Sequence, residues 1–188
     1  VEFDGTEHEV EDYIGKVKQI AEKNNSSSLK VSKSNEERLK FWAGRKAAFP
    51  ACGVLAPDYM CMDGSIPRGK LAEVLNEISR LSKKYDLPVA NAFHAGDGNL
   101  HPLIMFDANN PDSLRKCEEF GADILKYCVK VGGALTGEHG VGIEKRELMC
   151  EAFNDKDIQQ QLTIKVALDP NSLLNPGKVY PILRKCAE

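Results

Sequence analysis

Apolar positions recur at helical spacing in five stretches of the chain. In the first stretch, Val10, Ile14 and Val17 fall on one face of a helix and polar residues separate them. Pro67 stands at a favourable first helical position, ahead of an apolar stripe that continues to Leu81. The predicted helices cover residues 8–24, 34–50, 67–81, 111–130 and 156–168.

Short β-prone runs alternate with these helices. Strands are predicted at residues 1–5, 29–31, 58–62, 88–95, 100–106 and 134–136. From residue 58 onward the order is β-α-β-β-α-β, which is the ferredoxin-like split motif. We therefore expect an α+β fold, with an antiparallel sheet and helices mainly on one face.

The same order predicts how the chain is divided. Residues 1–50 are expected to be the end of a first ferredoxin-like subdomain, and residues 56–136 a second, related one. Residues 137–188 are expected to form a helical C-terminal segment. A polar run at residues 24–28 separates the first two predicted elements.

Composition excludes several classes of protein. The formal net charge of −3 over 188 residues provides no basic face for nucleic acid. No apolar run approaches the ~18 residues that suggest a membrane-spanning helix, and no signal peptide is recognised. Six cysteines without a CxxC pair favour reduced, structural thiols. We expect a cytoplasmic location, with peripheral attachment at the inner face of the membrane as an alternative.

The strongest local signal for chemistry is a predicted β-hairpin at residues 91–101. Asp97-Gly98 between two strand-like runs favours a two-residue turn with positive φ at both positions. Counting from that turn places His94 directly opposite His101, with Cβ atoms ~4.5–5.5 Å apart. Two imidazoles held in this way can reach one divalent cation, although ordinary histidines with hydrogen bonds are the alternative.

A third ligand is suggested by the glycine-rich segment at residues 132–142. Its adjacent Glu138 and His139 do not fit a core pattern, because five glycines surround them. Glu138 could complete a His/His/carboxylate set, and His139 could titrate near neutrality as a base. A phosphate-binding turn and a purely structural turn remain alternatives, although the spacing is not GxGxxG.

Two further features carry less weight when taken alone. Arg45 could bind a carboxylate through two hydrogen bonds, but its position also suits a solvated helix charge. The segment from Asn175 to Lys178 has the composition of a C-terminal turn.

In combination, these segments resemble the C-terminal domain of FAD-linked oxidases of the vanillyl-alcohol oxidase type. The matching pieces occur in the family's order and span nearly the whole chain. They are Trp42-Ala43-Gly44-Arg45-Lys46, Asp63-Gly64-Ser65-Ile66-Pro67, the hairpin from His94 to His101, the segment from Gly137 to Gly142, and the segment from Asp169 to Lys178.

The resemblance implies a role for each of several residues. By this likeness His94, His101 and Glu138 are ligands of a divalent metal, zinc first among the candidates, and His139 is the catalytic base. It also implies that Arg45 and Asn99 contact the substrate carboxylate and the metal site. Asn175 and Lys178 match a segment that approaches the flavin, so the C-terminal segment is expected near that cofactor.

The family further implies FAD as a cofactor, held mostly by an N-terminal FAD-binding domain that these 188 residues do not contain. The implied reaction is oxidation of a 2-hydroxy acid by hydride transfer to FAD, with FAD-containing and iron–sulfur subunits as partners. Relatives that accept a second carboxylate tend to carry a basic residue near residues 58–63, where this chain has Tyr59-Met60-Cys61-Met62. That difference favours a short substrate such as glycolate or D-lactate.

Two other functions remain as alternatives to this enzyme. One is a non-catalytic, metal-stabilised docking domain, and the other is a flavin-independent metal hydrolase.

Overall fold

The computed structural model describes residues 1–181. The chain divides into two compact units, one formed by Val1–Lys46 and the other beginning at Ala47. Within the described residues, no helix combines the length and the apolar character needed to cross a membrane.

The first unit consists of two helices, α1 (Glu7–Lys23) and α2 (Asn35–Lys46). Thr6 caps α1 through a reciprocal pair of hydrogen bonds with Glu9, which satisfies backbone donors of the first turn. The strands expected at residues 1–5 and 29–31 are wrong, because neither segment forms a strand in the structure. A strand needs a neighbour to pair its N–H and C=O groups, and the described part of this unit contains no strand that could act as one.

The second unit combines helices with short strands, which confirms the α+β fold. Its elements, in chain order, are α3 (Ala48–Cys52), β1 (Asp58–Cys61), β2 (Gly64–Ser65), a 3₁₀ helix (Arg68–Lys70), α4 (Leu71–Tyr85), β3 (Val89–His94), β4 (Asn99–Phe106), α5 (Pro111–Lys130), a second 3₁₀ helix (Arg146–Leu148), α6 (Met149–Ala152) and α7 (Asp155–Leu168). Asn110 caps α5 and Pro111 occupies its first turn, so this helix begins where the sequence predicts.

The four strands form one antiparallel sheet with β4 at its centre. β3 pairs along one edge of β4, and β1 and β2 share the other edge. The predicted strand at residues 134–136 is reduced to a single bridge between Ser65 and Ala134. β2 was not predicted, because a strand of two residues is too short to show an alternating pattern.

The main core lies between one face of the sheet and helices α4 and α5. Leu100 and Ile104 of β4 meet Phe120 and Ile124 of α5 there, all at most 2% exposed. Burying each such side chain contributes about 1.5–3 kcal/mol. The opposite face carries a smaller cluster that includes Leu103. Because successive residues of a strand point to opposite faces, His101 lies on this second face.

The cysteines are not all reduced. Cys52, Cys61, Cys117 and Cys128 are free, as expected. The expectation is wrong for Cys150, which is disulfide-bonded. Cys186 lies outside the described residues.

Candidate functional site

The hairpin that carries the two histidines forms with a different register from the predicted one. His94 pairs with Asn99 and Ala92 pairs with His101, so four residues rather than two connect β3 to β4. The N–H groups of Asp97 and Gly98 both donate to the carbonyl of His94, each at 3.0 Å. The prediction that His94 directly faces His101 is therefore wrong.

The two imidazoles nevertheless come together. Asn99 and His101 lie two positions apart on β4 and share a face, so His94 is the diagonal neighbour of His101. Their ring centroids are 5.4 Å apart and the rings are nearly perpendicular, at 82°. A register shift of two positions keeps every side chain on its face, whereas a shift of one would have separated the pair.

The glycine-rich segment brings Glu138 and His139 onto the same site. Glu138 Oε1 lies 3.3 Å from His101 Nε2, and the Asn99 amide donates to Glu138 Oε2 at 3.1 Å. The His139 ring stacks on that of His101, with centroids 5.2 Å apart. One ligand atom from each of His94, His101 and Glu138 falls within 4.8 Å of the other two.

The donor set fits a divalent cation. His101 is only 3% exposed, and its Nδ1 has no hydrogen-bond partner among the described residues. The buried Oδ1 of Asn99 likewise has none. Burial lowers the pKa of His101 despite the opposing charge of Glu138, and the neutral imidazole keeps a lone pair for a metal. Two nitrogens with one carboxylate oxygen is a common set for zinc and similar ions.

Asp63 holds the segment that carries Glu138 and His139. Its carboxylate Oδ2 accepts hydrogen bonds from the backbone N–H groups of Gly137, Glu138 and His139, at 2.7–2.9 Å. The buried ammonium of Lys145 pairs with the other carboxylate oxygen. Burial alone would raise the pKa of Asp63, but the hydrogen bonds from His139 N–H and Lys145 outweigh it and lower the pKa far below its usual range.

The roles of Asp63 and Lys145 were not predicted from the sequence. The two residues lie 82 positions apart, and neither stands in a pattern that marks a buried charge. The detectable signal was indirect, since Asp63 opens one of the segments that carry the family resemblance.

Cys61 also borders the site. One ligand atom from each of Cys61, His101 and His139 lies within 4.8 Å of the others, which makes a second group of potential ligands. Burial, followed by the nearby charge of Asp63, raises the pKa of the Cys61 thiol to about 11.

Arg45 lies in the other compact unit, in the last turn of α2. There it lines a cavity of about 650 Å³ together with Phe41 and Trp42. An ion pair between Arg38 and Glu2, at 2.6 Å, lies in the wall of the same cavity.

Asn175 and Lys178 contact each other in the C-terminal segment. The Lys178 ammonium donates to Asn175 Oδ1 at 3.0 Å, and Asn175 adopts a positive φ of 47°. The next residue, Val179, donates its N–H to the carbonyl of Gly142 at 2.8 Å. This segment is therefore bound to the end of the glycine-rich segment that carries His139.

Comparison with known sequences identifies the class of protein to which this fold and candidate site belong. Residues 1–179 match the family described as FAD linked oxidases, C-terminal domain. The chain belongs to this family, and the resemblance inferred from its motifs is confirmed.

Individual relatives are similar over nearly all of the chain. The glycolate oxidase subunit GlcD of Escherichia coli (strain K12) is 52% identical over 187 residues, covering 100% of this chain and 38% of that protein. GlcD of Bacillus subtilis (strain 168) is 33% identical, covering 96% and 38%. The mitochondrial D-lactate dehydrogenase (cytochrome) of Arabidopsis thaliana is 36% identical, covering 96% and 32%. The chain thus spans less than two fifths of the length of each of these relatives.

A solved structure shares the fold. The 4-ethylphenol oxidase from Gulosibacter chungangensis, in its isoeugenol complex, superposes with a TM-score of 0.62 and 18% identity. The match covers 94% of this chain and 38% of that one. At this identity the likeness supports the α+β architecture alone.

Proposed function

We propose that this chain is the substrate- and metal-binding domain of a flavin-dependent D-2-hydroxyacid dehydrogenase that oxidises glycolate or D-lactate. The observation that carries the proposal is the convergence of His94, His101 and Glu138 beside His139. Support also comes from the 52% identity to a glycolate oxidase subunit and from the lactate dehydrogenases among the relatives. The segment Tyr59–Met62, which offers no basic side chain for a second carboxylate, favours a short substrate.

His94, His101 and Glu138 would hold the divalent cation, for which zinc is the first candidate. Such a cation supplies Lewis acidity that lowers the pKa of a coordinated hydroxyl, and FAD supplies the hydride acceptor. Asn99 orients Glu138 through its amide hydrogen bond, and its own buried Oδ1 has no hydrogen-bond partner among the described residues. FAD would be held mostly by an N-terminal domain of the full-length protein, with Asn175 and Lys178 approaching it.

His139 is suited to take the proton of the substrate hydroxyl. Its side chain is 46% exposed, so a substrate can reach it, and it stacks on the ligand His101. Its Nδ1 lies 3.7 Å from Asp63 Oδ1 and its Nε2 lies 3.8 Å from Glu138 Oε1. Arg45 is proposed to bind the substrate carboxylate.

A second candidate function is a non-catalytic, metal-stabilised domain that docks an iron–sulfur or FAD-containing partner subunit. It is favoured by the exposed apolar side chains of the first unit, such as Ile20 at 61% and Leu39 at 54%. Metal binding alone does not separate the two functions, since both accommodate it.

Replacement of His139 separates them. In the full-length protein, His139→Gln is expected to lower kcat for glycolate or D-lactate by about 10²–10⁴-fold while the bound metal remains. The double replacement His94→Ala/His101→Ala is expected to remove the metal as well. The exposed His8 of α1 provides the matched control, because His8→Gln changes a histidine outside the candidate site. Nearly normal turnover in His139→Gln would overturn the catalytic proposal and support docking.

A further inference from the structure

His101 stands between two potential ligands on the same face of the sheet. On the β3 side its diagonal neighbour is His94. On the β1 side Cys61 pairs with Leu103, which is two positions from His101 on β4, so Cys61 is the corresponding diagonal neighbour. One histidine on the central strand is therefore flanked by an imidazole on one side and a thiol on the other.

The thiol side has the features of a ligand group in its own right. Ligand atoms of Cys61, His101 and His139 lie within 4.8 Å of one another. Cys61 is a free cysteine. His101, 3% exposed, has a buried Nδ1 with no hydrogen-bond partner in the part of the chain that the structure describes. An unpaired buried nitrogen costs about 1–3 kcal/mol, so the ring of His101 gains from any ligand that bonds to that atom.

We propose that Cys61, His101 and His139 form a second metal site that takes a thiophilic divalent cation. Sulfur and imidazole ligands select softer ions, whereas a set containing Glu138 suits harder ones. Each cation bound displaces the proton of the Cys61 thiol to solvent and forms a metal–sulfur bond, with no change of oxidation state.

The two ligand sets cannot be complete at the same time, because both need His101 and a neutral imidazole has one unprotonated nitrogen to offer a cation. Occupation of the thiol site therefore excludes a cation from the His94–His101–Glu138 set. It also removes His139 from the role of base. This exclusion rests on the proposed function, whereas the thiophilic site itself does not.

The site is tested with Cd²⁺, a thiophilic ion of the same charge as zinc. Titration of metal-free, full-length protein is expected to produce a thiolate-to-cadmium charge-transfer band in the ultraviolet, which Cys61→Ser abolishes. Cys52→Ser is the matched control: Cys52 is free and belongs to the same sheet-face cluster as Cys61, but to neither ligand set. A band of the same amplitude in Cys61→Ser as in the wild type would overturn the proposal.

Two histidine variants keep the test decisive if Cys61→Ser does not fold. His139→Gln changes an exposed side chain and removes a direct ligand of the proposed site. Loss of a group that only supports a ligand lowers metal affinity about 10–100-fold. His139→Gln is therefore expected to weaken Cd²⁺ binding by more than about 100-fold. His94→Ala, which lies outside the thiol group, is expected to keep the band. Equal Cd²⁺ affinities in the two variants would contradict the assignment.

The exclusion is measured by equilibrium dialysis of protein loaded with Mn²⁺. Cd²⁺ is expected to release one Mn²⁺ for each Cd²⁺ bound in the wild type, and to release Mn²⁺ from Cys61→Ser only at higher Cd²⁺ concentrations, where it competes for the His94–His101–Glu138 set directly. Retention of Mn²⁺ while the charge-transfer band forms would overturn the exclusion. A wild type that binds no Mn²⁺, zinc or iron would overturn the proposed function instead, and the charge-transfer band would still decide the thiol site.

Discussion

Lys145 donates its ammonium to both the carboxylate and the main-chain carbonyl of Asp63, and both side chains are buried. The same carboxylate accepts three successive backbone N–H groups from the segment that carries Glu138 and His139. One buried ion pair thus determines where a candidate ligand and the candidate base lie.

Removal of either charge should therefore disturb both stability and the site. Asp63→Asn and Lys145→Met are each expected to lower the free energy of unfolding by about 3–5 kcal/mol, because the remaining charge is left buried without its partner. Urea denaturation measures that loss, and metal affinity by competition with a chelator should fall about 10–100-fold in Asp63→Asn.

The pair of Lys126 and Glu151 provides a control in the same unit. Their charged atoms are 3.2 Å apart and both side chains are nearly half exposed. Lys126→Met is expected to change the free energy of unfolding by no more than about 0.5 kcal/mol. If Lys145→Met changed the free energy of unfolding as little as Lys126→Met, the ion pair of Asp63 and Lys145 would not be what holds the segment that carries Glu138 and His139.

The lowered pKa of Asp63 gives a pH dependence with a definite sign. Above about pH 4, the usual pKa of an aspartate, the carboxylate is ionised in both the folded and the unfolded protein, and its contribution to stability is complete. As the pH falls below that value, the unfolded chain takes up the proton first, because the folded pKa lies lower. The contribution is then lost progressively.

The difference in free energy of unfolding between wild type and Asp63→Asn measures this contribution. Urea denaturation in the presence of a chelator should show a constant difference from about pH 7 to about pH 5 and a shrinking one below about pH 4. A difference that grows on acidification would mean that the pKa of Asp63 is raised in the folded protein.

Gly137 is required by the close approach of Asn99. A Cβ atom at position 137 would lie 1.9 Å from Asn99 Oδ1. Gly137→Ala should displace Asn99, break its hydrogen bond to Glu138, and lower metal affinity about 10–100-fold. Isothermal titration with zinc or Mn²⁺ measures this, with Gly69→Ala as the control, because a Cβ at Gly69 meets no atom within 4 Å. Equal affinities in the two variants would show that Asn99 does not orient Glu138.

The sequence predicted that His94, His101 and Glu138 come together, but it did not predict the register of the hairpin. His94 and His101 were expected to face each other directly, and they lie diagonally instead. The two histidines still meet, because a register shift of two positions leaves both side chains on the same face of the sheet. The expected approach of Glu138 to His101 holds at 3.3 Å, although the pattern of glycines alone left other turns open.

What the sequence did not predict depends on contacts between distant segments. Asp63 and Lys145 lie 82 positions apart, so no local pattern in the sequence indicates that they pair. The bridge from Ser65 to Ala134 joins segments whose own strand signals are too short. The strand expected at residues 29–31 had a suitable local pattern, but the described part of its unit contains no strand to pair with it.

The register of the hairpin can be tested at its turn. Gly98 has a φ of +74°, and a Cβ there would lie 2.1 Å from the carbonyl oxygen of Ile66. The N–H of Ile66 donates to the Gly98 carbonyl at 2.9 Å, so this contact joins the turn to the segment after β2. Gly98→Ala is expected to lower the free energy of unfolding by about 1–3 kcal/mol through strain alone, and more if the contact breaks.

Because this turn sets which residue pairs with His94, Gly98→Ala should also weaken metal binding. Gly96→Ala in the same turn is the matched control, since a Cβ at Gly96 meets no atom within 4 Å and its φ is not positive. Thermal unfolding and zinc titration of the two variants are compared side by side, and Gly96→Ala should stay within about 0.5 kcal/mol of the wild type. If Gly98→Ala matched Gly96→Ala in both measurements, neither the four-residue loop nor its contact with Ile66 would determine the register of the hairpin. The two-residue turn at Asp97-Gly98 that the sequence predicted would then have to be reconsidered.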